Sequence, residues 1–307
     1  MCRLRGAFLW RSIISASQLL QLILSGLTTG SIYALIALGF VTIYNVTGII
    51  NFAQGEFAML GAMLAVSFLA LGLPPPLVFL LAVAVVVMIG AGLERVAIHP
   101  ARRASPVTLI IITIGADIAI RGIALLIWGT DPYPLPAFTA GPPLVFGGAV
   151  ITRQAIWIMG TTAVALALLA VFFERTYLGK AVRACAINRL SARLTGIRPD
   201  RMSLLAFALS AGLGAVGGIV IAPMTLVSYD MGLALGLRGF VAAIMGGMVS
   251  PPGAVLGALL LGVLEALVAG LFRAAFKEAF AFLVLFLILI LRPQGLFGRG
   301  TAPGAGL

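Results

Sequence analysis

The chain has 307 residues, 62% of them apolar and 9% charged, against about 45–50% and about 25% in soluble globular domains. Its formal net charge is +11 at pH 7, but the basic residues sit in short segments between long apolar runs, which is how loops set membrane orientation and meet anionic lipid, not a nucleic-acid footprint. A soluble enzyme and a nucleic-acid-binding domain are excluded, and the lack of alternating ten-residue strands excludes a membrane barrel. What is left is an all-α polytopic membrane protein with eight to nine transmembrane helices, some of them short or broken.

A spanning helix needs about twenty apolar residues. The first run is Leu19 to Tyr44, which contains Gly26-x-x-x-Gly30, and the second is Phe52 to Leu71. Between them lies NVTGIIN, too short and too apolar for an ordinary loop. It leads into NFAQGEF, Asn51 to Phe57, at a helix start. There Asn51 can accept from an orphan N–H as a cap, and Gln54 and Glu56 fall in the first turns, where the helix dipole favours an acid. Two readings of this stretch stay open: a capped helix with an interfacial acid, or a break that lines a pathway or meets a neighbouring subunit. After the rigid turn Gly72 to Pro76 comes a third span, Leu77 to Leu93, then a basic loop from Glu94 to Ser105.

The fourth span, Val107 to Trp128, carries Asp117 and Arg121. Their i, i+4 spacing puts them on one helix face, and charges at this depth face the bundle interior or a wet cavity. Gly129 to Arg153 is Pro-rich and holds room for a small hairpin; the fifth span is Ala155 to Phe173. The polar island Glu174 to Ser203 follows, with seven basic residues against two acids. Inside it Leu190, Leu194 and Ile197 recur at i, i+4, i+7, one face of a short amphipathic helix over 184–195, with Gly196 and Pro199 to end it.

The sixth span, Leu204 to Val227, has a glycine series at 212, 214, 217 and 218, suited to close helix approach. Leu237 to Val249 is too short to cross alone and is followed by SPPG and then Ala254 to Leu271, where Glu265 stands alone with Arg238 as its expected partner. Ala279 to Leu291 is the last span. GFV at 39–41, a break and MLGAML at 59–64 resemble GFV at 239–241, a break and VLGALL at 255–260. Paired broken segments in two halves of a chain point to a transport pathway. The halves are 19–173 and 204–298, within a single transmembrane domain.

Placing the island in the cytoplasm puts twelve basic loop residues inside and six outside (Arg3, Arg5, Arg11, Arg153, Arg273 and Lys277), with the C-terminus inside; the reverse orientation inverts the count. The N-terminal stretch lacks a clean apolar core with a small-residue cleavage site, so no removable signal peptide is expected. No catalytic constellation, metal-ligand spacing or P-loop is present, so no cofactor is expected on this chain, and any power comes from a partner or from an ion gradient. Cys2 and Cys185 fall on opposite faces and are not expected to pair, and His99 reads as a loop residue.

Leu27 to Met63, Thr113 to Gly129, Gly179 to Ile197, Gly239 to Glu265 and Arg292 to Gly298 together resemble the branched-chain amino-acid ABC transporter permeases of the LivH type. One departure is Asp117, where the family pattern leads us to expect an uncharged residue. The resemblance implies a bacterial inner-membrane importer subunit for branched-chain or similar hydrophobic amino acids. It would be paired with a LivM-type permease, two cytoplasmic ATPase subunits and a periplasmic binding protein, in contact with membrane lipid and without nucleic acid. It makes the helix at 184–195 a coupling helix, with Arg183, Ala186, Arg189, Leu190, Arg193, Leu194, Gly196 and Ile197 as its ATPase contacts. The pathway residues are then Asn51, Phe52, Gln54, Glu56, Asp117 and Arg121. Urea and amide importers use similar permeases, and an ion-coupled secondary transporter working through Asp117 or Glu265 is the rival of another class.

Overall fold

A computed structural model describes residues 16–271, 276–292 and 294–297. Cys2, Arg3, Arg5, Arg11, Arg273 and Arg299, which enter the reading above, lie outside the described residues. Helix α1 (Ala16–Thr47) is the axis of the molecule. Its 32 residues make a rod about 48 Å long, longer than a hydrocarbon core of about 30 Å. Every residue from Gly30 to Ile43 is buried, because the other helices wrap a segment that is apolar all round. Small residues bring the backbones together: a Cβ on Gly26 would lie 2.5 Å from Val263 Cα, and one on Gly30 2.8 Å from Ala258 O.

Helix α2 (Gln54–Ala70) follows the break after α1, and α3 (Pro75–Leu93) comes next with proline in its first turn. The chain does not leave the helix at Glu94 as expected. It continues through a wide π turn, Glu94–Ile98, closed by the His99 N–H on the Glu94 carbonyl at 2.7 Å, and Glu94 is buried there. Helix α4 (Pro106–Trp128) starts on Ser105, whose side chain accepts from the Thr108 N–H. The anticipated hairpin is present: β1 (Leu144–Phe146) pairs antiparallel with β2 (Ala149–Ile151) through Gly147 and Gly148, both at positive φ. Gln21 of α1 stitches it on by accepting from Val150 N and donating to Val150 O.

Helix α5 (Arg153–Arg175) leads into two short helices of the basic island, α6 (Tyr177–Ile187) and α7 (Arg189–Leu194). Helix α8 (Pro199–Ile221), α9 (Met231–Gly246), α10 (Pro251–Leu271) and α11 (Phe276–Leu291) complete the chain. Helix α9 begins six residues before the expected start at Leu237. Among the described residues, six helices are long and apolar enough to cross a membrane, and α2, α9 and α11 supply shorter apolar segments. The outer faces of α3, α4 and α5 are largely exposed, while α1, α2 and α8 carry the core.

Candidate functional site

The break between α1 and α2 is an irregular backbone held inside the bundle. Gly48 opens it at φ 74. Its polar groups are then satisfied by neighbours, as irregular backbone at membrane depth requires. The Phe52 N–H donates to Thr113 Oγ1 at 3.2 Å, and the same hydroxyl lies 3.3 Å from the Ile50 carbonyl. Asn51 Oδ1 accepts from the Ala53 N–H at 3.3 Å, one residue ahead of the helix, so the expected cap is displaced: Ala53 holds the N-cap position and has no side chain to bond with. Gln54 donates to the Ser210 carbonyl at 3.1 Å and accepts from the Ser210 hydroxyl. Asn51, Gln54 and Glu56 are fully buried, while Phe52 is half-buried and meets Phe240 of α9 with ring centroids 5.6 Å apart.

Helix geometry gives the depth of this site. Ser210 lies about 16 Å along α8 from Pro199, and Asp117 about 16 Å along α4 from Pro106. Both distances are about half of a 30 Å hydrocarbon core. At that level Arg121 pairs with Asp117, as the i, i+4 spacing predicts, and a third group joins them: Glu56 Oε1 lies 3.7 Å from Arg121 Nε. Two carboxylates therefore share one guanidinium. The Glu56 carboxylate rests on Gly232 in the first turn of α9, where a Cβ would come within 2.8 Å of it. Among the described residues, Asn51 Nδ2, both Glu56 oxygens and Arg121 Nε have no hydrogen-bond partner.

The second break, between α9 and α10, mirrors the first. It too opens on a glycine at positive φ, Gly247 at 104°. The last turn of α1 reaches it: Asn45 Nδ2 donates to the Val249 carbonyl at 3.3 Å. A separate buried acid, Glu265 of α10, accepts from the Tyr33 hydroxyl at 2.8 Å and lies 3.3 Å from Lys277 Nζ, and Arg238 acts electrostatically on the same Tyr33. Tyr33 and Lys277 were not anticipated as members of this cluster, nor Thr113 and Ser210 as members of the first. Each is the partner of a residue more than ten positions away, and no local spacing marks it.

The basic island corrects the expected helix over 184–195. Asn188 takes an extended conformation and splits it, its side chain accepting from the Leu190 and Ser191 N–H groups to start α7. Gly196 at φ 85 then closes α7 in a Schellman turn: the Ile197 N–H bonds the Ala192 carbonyl and the Gly196 N–H the Arg193 carbonyl, both at 3.0 Å. Pro199 does not end a helix; it opens α8. As a result Ile197 turns inward against Ala192, while Leu190 (68%) and Leu194 (82%) stay exposed together with Ile187 (85%). Arg183, Arg189 and Arg193 are exposed beside them, Ala186 is half-buried and Gly196 exposed. Val182, Cys185 and Ala192 face the other way and pack with Val46 of α1 and Met202 and Ala206 of α8. Burial pushes the Cys185 thiol up from its ordinary value, against the pull of Arg189.

A family model described as branched-chain amino acid transport system / permease component matches residues 22–290. The chain belongs to this permease family. The permease is 37% identical over 91% of its length, and 96% of the relative's, to the high-affinity branched-chain amino acid transport system permease protein BraD of Pseudomonas aeruginosa. It is 34% identical over 80% of its length, and 84% of the relative's, to LivH of Escherichia coli K12, which carries the same description. The autoinducer 2 import system permease protein LsrC of Escherichia coli O9:H4 is 29% identical over 49% of the permease and 44% of LsrC. The permease is a multi-pass helical membrane protein and a transport subunit.

Proposed function

We propose that this permease moves branched-chain or similar hydrophobic amino acids across the bacterial inner membrane, with its C-terminus in the cytoplasm, as half of a heteromeric ABC importer. The observation that carries the substrate class is the match of nearly the whole chain to BraD and LivH. The geometry supports a pathway beside the two breaks, which the last turn of α1 links. Phe52, Ile50 and Phe240 give apolar surface there, and Asn51 and Glu56 keep unfilled hydrogen-bonding capacity. In this conformation Asn51, Gln54 and Glu56 are sealed, so they meet substrate only after α2 and α9 part. The exposed Ile187, Leu190 and Leu194, ringed by arginines, form the face on which an ATPase subunit seats. The second permease of LivM type, two ATPase subunits and a periplasmic binding protein complete the assembly. ATP is consumed by the ATPases, and this chain holds no cofactor.

The test is reconstitution of the permease with its second permease, ATPases and binding protein in sealed vesicles. Leucine, isoleucine and valine uptake should require ATP and survive collapse of ion gradients. Uptake by the permease alone that an uncoupler abolishes would make it an ion-coupled carrier. Transport of urea or short amides in preference to leucine would reassign the substrate.

A further inference from the structure

At the basic face, the end of α3, the segment leading to α4, the turn after α7 and the start of α8 enclose a cleft of about 460 Å³. Arg95, Arg102, Arg193, Arg198 and Arg201 line it. Asp200 is the carboxylate in this lining, and Arg102 engages it at 2.7 Å. Glu94 lies beneath, buried, with His99 and Arg95 acting on it. Arg193, Arg198 and Arg201 have no ion pair among the described residues. Guanidiniums gathered around one cleft repel one another unless an anion sits between them, and their planar forks match phosphoryl oxygens.

Depth selects the kind of anion. Helix α3 uses Pro75–Leu93, about 28 Å of axis, to cross a hydrocarbon core of about 30 Å. Arg95 and His99 therefore stand at head-group level. The first turn of α8 stands there too, about 16 Å from the mid-depth Ser210. Towards the same end of the bundle, Met88 of α3, Val96 of the π turn and Val107 and Ile111 of α4 are exposed apolar groups. A free anion has no use for that wall, whereas an acyl chain does. We propose that the cleft holds the phosphoryl head group of an anionic phospholipid from the adjoining leaflet, with its chains along α3 and α4. Basic clefts between membrane helices recognise such head groups in this way.

The experiment titrates the full-length permease in detergent with dioctanoyl phosphatidylglycerol, dioctanoyl phosphatidylcholine and inorganic phosphate, reading bound lipid by native mass spectrometry and stability by thermal unfolding. Phosphatidylglycerol should bind and raise the unfolding temperature, phosphatidylcholine should bind about tenfold more weakly or less, and R198Q/R201Q should weaken phosphatidylglycerol about tenfold. R103Q, an arginine of the same segment outside the cleft lining, should change binding less than about twofold. Equal binding and stabilisation by the two lipids overturns the proposal without any variant. So does competition by phosphate as strong as that of the lipid, which would make this a free-anion site. Loss of ATPase co-purification in R198Q/R201Q with lipid binding intact overturns it as well, by assigning the guanidiniums to an acidic protein surface.

Discussion

Arg121 is the residue on which the mid-depth cluster turns. Removing one partner of a buried ion pair leaves an uncompensated charge and costs about 3–5 kcal/mol. Removing Arg121 leaves two carboxylates, Asp117 and Glu56, facing each other. We therefore expect Arg121→Gln to lower folded yield more than Asp117→Asn, and Glu56→Gln added to Arg121→Gln to restore part of it. Fluorescence-detected size-exclusion chromatography of the three variants checks this; equal loss in D117N and R121Q would remove Glu56 from the cluster. The Asp117–Arg121 half of this arrangement is legible in the sequence because four residues are one helical turn. The Glu56 half is not, because α2 and α4 meet only through the fold. Gln54 with Ser210 and Tyr33 with Glu265 are further pairs of that kind, 156 and 232 residues apart. Helical periodicity marks neighbours along one helix and says nothing about partners on another.

At the scale of elements, the basic island shows how a correct pattern yields a wrong boundary. Leu190, Leu194 and Ile197 do recur with helical spacing, but the spacing carries no information about Asn188, whose side chain finds two N–H groups to cap, or about Gly196, whose left-handed conformation reverses the chain. Gly196 is the helix end in sequence and structure alike, and the capping preference of asparagine is equally readable; weighing it against the periodicity would have placed the split. The structure leaves Leu190 and Leu194 outward, so the docking expectation sharpens to Ile187, Leu190 and Leu194. Replacing Leu190 and Leu194 with Asp should leave membrane insertion and folded yield near wild type, since both are exposed, and should reduce ATPase co-purification at least about tenfold, as loss of central apolar anchors does. A pull-down from solubilised membranes measures it, and undiminished ATPase recovery would move the docking face elsewhere.

For the whole molecule, the two breaks divide the permease into a sealed part and an accessible part, and burial says which residues belong to each. Cys185 would be replaced first, so that no native thiol among the described residues reports. Single cysteines at Asn45, Gly48 and Phe52 should then react with a small charged thiol reagent, whereas those at Ile49, Ala53 and Gln54 should be protected in the resting state. ATP with binding protein should raise the rate at Gln54 if α2 and α9 part during turnover. Protection at Gln54 unchanged by turnover would confine the pathway to the exposed side of the break. The helical class and the approximate spans were legible because hydrocarbon thickness fixes segment length. The depth of the break was not, because it follows from which residues of α4 and α8 the fold brings against it.

The island and the breaks meet on one turn of α1. Val46 packs into the island's apolar anchor, and the preceding residue, Asn45, holds the second break. An α-helix is stiff along its axis, so a displacement of the anchor arrives at Asn45 nearly undiminished. On the function proposed above, the end of α1 would act as a gear tooth shared by the energy-consuming and the substrate-handling sides, its fit setting the slippage between them. Val46→Ala loosens that fit while leaving the docking face untouched. The expected outcome is fewer amino acids moved per ATP hydrolysed, with ATPase binding unchanged, measured as the ratio of uptake to phosphate release in reconstituted vesicles. An unaltered ratio would mean that the two sides are geared through another contact.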